Sequence, residues 1–61
     1  MGEMVRIRNR WPAAMTLWLG PHNVMIPAGK VREVPADAWA KYLQRNANSK
    51  LIREGIIGEV L

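Results

Sequence analysis

The chain has no cysteine and a single histidine, His22, in 61 residues. Disulfide stapling is therefore excluded, and a zinc site would have to rest on His22 and five scattered carboxylates. Hydroxyl nucleophiles are scarce too. Besides Tyr42 there are only Thr16 and Ser49, and neither sits in a G-x-S-x-G elbow or beside a histidine. The glycines at 20, 29, 55 and 58 are dispersed, without a G-x-G-x-x-G or G-K-[ST] run, so no phosphate-cradling loop is written. These gaps point to a non-enzymatic protein with no catalytic residue, no metal and no cofactor, and they make His22 a turn residue. Long apolar runs are also missing: nothing approaches the roughly 18 apolar residues of a membrane span, so no membrane association is expected. Glu3 and three arginines precede any useful apolar stretch, unlike a secretory signal. Met1-Gly2 opens as an N-myristoylation site does, but Arg6 stands where that motif needs Ser or Thr. A reducing, cytoplasmic setting is the simplest expectation.

What is present is apolar and basic. Hydrophobic residues make up 49% of the chain, with three tryptophans and four methionines, and nine Lys and Arg against five Asp and Glu leave a net charge of +4. Residues 1–61 are read as one domain, near the lower size limit for a single unaided core. Ordering such a chain costs on the order of 90 kcal/mol at roughly 1.5 kcal/mol per residue, so burial must nearly match that figure. A partner, or a second copy in a homo-oligomer, is a natural way to complete so much apolar surface.

Period-two alternation marks the strands. Val5 and Ile7 alternate with Arg6 and Arg8, which predicts a half-buried strand over Glu3–Arg8. Asn9-Arg10-Trp11-Pro12 interrupts it, because proline cannot donate to a ladder. Met15–Leu19 is a second strand ending at the turn pair Gly20-Pro21, and Val24–Ile26 is a third. Pro27-Ala28-Gly29 then connects to Lys30–Val34. Three connecting residues ending in glycine suit a type I turn followed by a left-handed residue, so the third and fourth strands are expected to pair as a hairpin.

The period changes at Pro35. From Pro35 to Arg45, Trp39, Leu43 and Tyr42 recur at helical spacing, with Pro35 placed in the first turn and Asp37 near the positive end of the dipole. Asn46–Ser49 breaks this helix and can cap a second one over Lys50–Glu54, which Gly55 closes. Leu51 and Ile52 are expected to face inward. Ile56–Val60 reads as a last strand returning beside the first, with Gly58 marking a bulge or a close approach. The expected fold class is α+β: a small antiparallel sheet of about five strands, in the order β-β-β-β-α-α-β, with two short helices packed on one face.

Four motifs taken in order carry a resemblance. They are Ile7-Arg8-Asn9, Ile26-Pro27-Ala28-Gly29, Val34-Pro35 with Trp39 following, and Leu51-Ile52-Arg53-Glu54-Gly55-Ile56-Ile57. Together they span nearly the whole chain, which resembles small accessory proteins of tailed bacteriophages and Mu-like prophages, encoded among virion head and tail morphogenesis genes. The resemblance implies a structural protein of the virion or host bacterial cytoplasm that attaches to capsid or tail proteins. It carries over no catalytic residue.

The candidate contact residues are Arg6, Arg8, Arg10, Trp18, Lys30 and Arg32. Arg6, Arg8 and Arg10 share a parity opposite Val5 and Ile7, and Lys30 and Arg32 share one as well. On neighbouring strands these five cations would form a patch able to track phosphates, with Trp18 or Trp11 available to stack bases. Arginine and lysine equally serve solubility on the wet face of a small sheet, and Glu3 and Glu33 dilute the field. Trp18 alternates with Leu17 and Leu19 and so faces outward, whereas Trp39 is read as core. The leading expectation is docking on a virion assembly through protein–protein contacts; the alternative is a small basic nucleic-acid-binding protein that uses the arginine-bearing sheet face.

Overall fold

The structure is a computed structural model that describes residues 2–20 and 22–60, the side chain of His22 excepted. Its elements are β1 (Met4–Asn9), β2 (Met15–Leu19), β3 (His22–Ile26), β4 (Val31–Pro35), α1 (Ala36–Arg45), α2 (Lys50–Arg53) and β5 (Ile57–Glu59). This is the expected α+β order. The five strands divide into two antiparallel sheets, one ordered β4-β1-β5 and the other β2-β3.

The core lies where the two sheets and α1 meet. Ile7, Val34 and Ile57 come from the three-stranded sheet, Leu17, Leu19 and Ile26 from the two-stranded one, and Trp39 from the helix. Each strand contributes at alternate positions, as the pleat demands. Leu51 and Ile52 pack at the margin, as expected of the inward side of α2.

The pairing of the third and fourth strands is corrected. β3 pairs with β2, the ladder starting at Leu19 opposite His22, and β4 pairs with β1. The Pro27–Lys30 turn does form, closed by the Lys30 amide on the Pro27 carbonyl at 3.0 Å with Gly29 at φ 71°. Positive φ at the third residue belongs to a type II turn. That turn carries the chain from one sheet to the other, because the Gly29 amide donates to the Asn9 carbonyl at 2.8 Å, and the Asn9 amide donates to the Lys30 carbonyl at 3.0 Å. Asn9 therefore belongs to β1 and does not interrupt it.

Asn9 is fully buried, and its side chain ties three segments together. Its Nδ2 donates to the carbonyls of Ala13 and Ile26, both at 2.9 Å, and its Oδ1 accepts from the Trp11 amide at 2.8 Å. A buried amide with every group engaged stabilises, whereas an unpaired one costs free energy.

The helical segments follow their local signals with small shifts. Pro35 is the N-cap of α1 and the last residue of β4, with φ −60° and ψ 134°, so it precedes the first turn. Ser49 caps α2 by accepting from the Leu51 amide at 3.3 Å, and Gly55 follows the C-cap at φ 71°. Gly58 is neither a bulge nor a close approach: pairing runs unbroken from Ile7–Glu59 through Arg8–Gly58 to Asn9–Ile57, and a Cβ there would meet nothing within 4 Å.

Candidate partner-binding surfaces

The strand registers decide where the candidate cations stand. Residues directly opposite in an antiparallel pair share a face. Arg6 is opposite Glu33 and Arg8 is opposite Val31, while Arg32 is opposite the buried Ile7. Arg6 and Arg8 therefore occupy the outer face of the three-stranded sheet. Arg32 belongs to the other side and emerges at the edge strand β4. Lys30, next along that alternation, shares the parity of Arg32. The expected patch of five cations is thus split in two.

Three arginines remain together. The Arg10 amide donates to the Ile56 carbonyl at 2.8 Å, which extends the ladder and keeps Arg10 in line with Arg6 and Arg8, roughly 7 Å apart along the chain. Gly58 beside Arg8 leaves room, and Arg8 and Arg10 line a shallow concavity with it. Glu33 across from Arg6 offsets part of the charge. Among the described residues, Lys50 with Glu54 is the one ion pair within 4.0 Å; it is exposed, and such pairs contribute little.

The outer face of the two-stranded sheet carries two large exposed apolar side chains. Thr16 is opposite Met25 and Trp18 opposite Asn23, so these four share the face turned away from Leu17, Leu19 and Ile26. Trp18 is 68% exposed and Met25 60% exposed, in diagonal positions on adjacent strands. Trp18 thus stands outward, as its alternation with Leu17 and Leu19 predicts.

A groove runs between the end of this hairpin and α1, with a volume of about 510 Å³. Its walls include Trp18 and Leu19 on one side and Lys41, Tyr42 and Arg45 on the other. Tyr42 is half-buried and stacks on Trp39, with ring centroids 5.4 Å apart and planes 12° from parallel. Burial raises the Tyr42 phenol above its ordinary pKa of 10.0. Helical spacing places Tyr42 on the core side of α1, and Lys41 and Arg45 lie outside the expected patch of five cations. Their spacing of four was the available signal.

Against protein-family models, curated proteins and solved structures, the chain finds no match. The surfaces therefore carry the functional reading by their own chemistry. Among the described residues no three His, Cys, Asp or Glu side chains cluster so as to hold a metal, and no helix is long and apolar enough to cross a membrane. His22, expected in a turn, is instead the first residue of β3, opposite Leu19, and its side chain lies outside the described residues.

Proposed function

We propose that this chain is a non-enzymatic accessory protein of a phage or prophage virion, docking on a capsid or tail assembly through protein–protein contacts. The observation that carries the docking reading is the exposure of Trp18 and Met25 on one face of the β2-β3 hairpin. A large aromatic ring left that open, on a domain with so much apolar surface to cover, is a typical interface anchor. The phage setting rests on the four ordered motifs. Co-purification with capsid or tail proteins tests it, with a Trp18→Ser, Met25→Ser double variant as control. Loss of the virion partner with unchanged circular dichroism is the expected result; a wild-type protein that retains no virion partner overturns the reading.

One observation favours a second reading, nucleic-acid binding: the unbroken row of Arg6, Arg8 and Arg10 on one sheet face. Three phosphate contacts would give a salt dependence with a log–log slope of about −2.7 on duplex DNA, at about −0.9 per contact. No binding at low salt, or binding indifferent to Arg6→Gln and Arg8→Gln, overturns this alternative.

A further inference from the structure

The groove beside α1 has a length, a polarity and a composition that together specify an occupant. Asp37, Lys41 and Arg45 lie along α1 at spacings of four, flanked by Ala38 and Tyr42, and all five line the groove. From Asp37 to Arg45 the helix rises about 12 Å at roughly 1.5 Å per residue. That is the reach of about four residues of extended chain, so the groove suits a peptide segment better than a single side chain. Its volume of about 510 Å³ falls within the roughly 300–1,000 Å³ of well-formed ligand sites.

Trp18 and Leu19 on the hairpin and Ala38 and Tyr42 on the helix are among its apolar lining. The Tyr42 ring is held in place by its stack on the buried Trp39, so this wall is preorganised. The charge is directional. Lys41 and Arg45 stand toward the C-terminal end of α1, and neither has a carboxylate within 4.0 Å among the described residues. Asp37 stands at the other end, its Oδ1 accepting from the Ala38 amide at 2.9 Å. An acidic ligand is drawn to the Lys41–Arg45 end and repelled from the Asp37 end, which sets its direction.

We propose that this groove binds an acidic peptide segment of a partner protein, an aliphatic or aromatic side chain entering between Trp18 and Tyr42 and carboxylates lying on Lys41 and Arg45. The proposal rests on the reading of the chain as a docking protein and names the chemistry of what it docks on.

Titration of isotope-labelled protein, followed by amide and indole chemical shifts, tests it with three probes: the capped peptide Glu-Leu-Trp-Asp-Glu-Asp, the same peptide with lysine for each acid, and oligothymidylate. The acidic peptide is expected to shift Leu19, Ala38, Tyr42 and the Trp18 indole saturably, and the basic one to leave them in place. Lys41→Glu with Arg45→Glu, both at exposed positions, should raise the dissociation constant by about tenfold or more, equivalent to roughly 1.4 kcal/mol. Absence of these shifts with the acidic peptide, equal binding by the double variant, or equal binding of the basic peptide overturns the proposal. Shifts of these same residues with oligothymidylate alone would assign the groove to nucleic acid and overturn it too. Capsid or tail proteins retained equally by wild type and double variant would sink the groove while leaving the docking reading intact. Retention by neither would sink the docking reading, and the peptide titration still decides the groove.

Discussion

The Asn9 side-chain amide donates to the main-chain carbonyl of Ile26 at 2.9 Å, across 17 residues of sequence and from one sheet to the other. With the bonds to Ala13 and Trp11, it makes one residue the fastener of β1, the following loop and the end of β3. Asn9→Ala removes these bonds, with a longer one from Nδ2 to the Pro27 carbonyl at 3.4 Å, and strands their partners. A loss of about 3 kcal/mol is expected, given roughly 1–3 kcal/mol for each buried group left unpaired, measured by urea denaturation. In so small a domain that is most of the stability. A loss below about 0.5 kcal/mol, the range of ordinary surface changes, would show that the network is dispensable.

Gly29 and Gly58 make a matched pair of tests. Neither position crowds a Cβ, but Gly29 holds φ at +71° whereas Gly58 lies in regular strand pairing. Gly29→Ala should cost about 1–2 kcal/mol, the penalty of a left-handed backbone for an L-residue. Gly58→Ala should be neutral within about 0.5 kcal/mol, or stabilise slightly by restricting the unfolded chain. Equal losses at both sites would contradict the assigned geometry.

The tryptophans should separate stability from binding. Trp39 is 5% exposed in the core, so Trp39→Ala is expected to cost about 3–5 kcal/mol and to leave the domain largely unfolded. Trp18→Ala removes an exposed ring and should change the melting free energy by no more than about 0.5 kcal/mol while abolishing partner capture. A stability loss at Trp18 comparable to that at Trp39 would place Trp18 in the core.

Tyr42 sets an alkaline limit. Because burial raises its folded-state pKa above 10.0, the unfolded chain ionises first. The stability this group contributes is complete below about pH 10 and is lost as the pH rises through the folded-state pKa. Between about pH 9 and pH 11 the denaturation midpoint should fall more steeply for wild type than for Tyr42→Phe, which has no phenol to ionise. Identical decline in both proteins would rule out the contribution.

Much of this molecule was legible because short-range rules govern it. Pro35, Asp37 and Trp39 announce α1, and Ser49 with Gly55 brackets α2, since caps and dipoles act within one turn. The outward stance of Trp18 followed from alternation alone. The pairing of β3 did not, because a proline–glycine turn closes the same local bond whether the chain folds back in a hairpin or crosses to another sheet. The split of the cations was equally hidden: parity along a strand places residues on a face of that strand, but only the register, Arg6 against Glu33, places Arg32 on the side away from Arg6 and Arg8.

The sequence by itself determined the elements, their order, their inward and outward positions and the absence of a legible catalytic motif, because each rests on contacts between residues a few positions apart. Tertiary structure alone decided that five strands make two sheets, that Asn9 joins them, and that Trp18 lines one groove with Lys41, Tyr42 and Arg45. Those choices depend on which apolar faces bury each other best and on which buried polar groups are then satisfied, and both are properties of the whole folded chain.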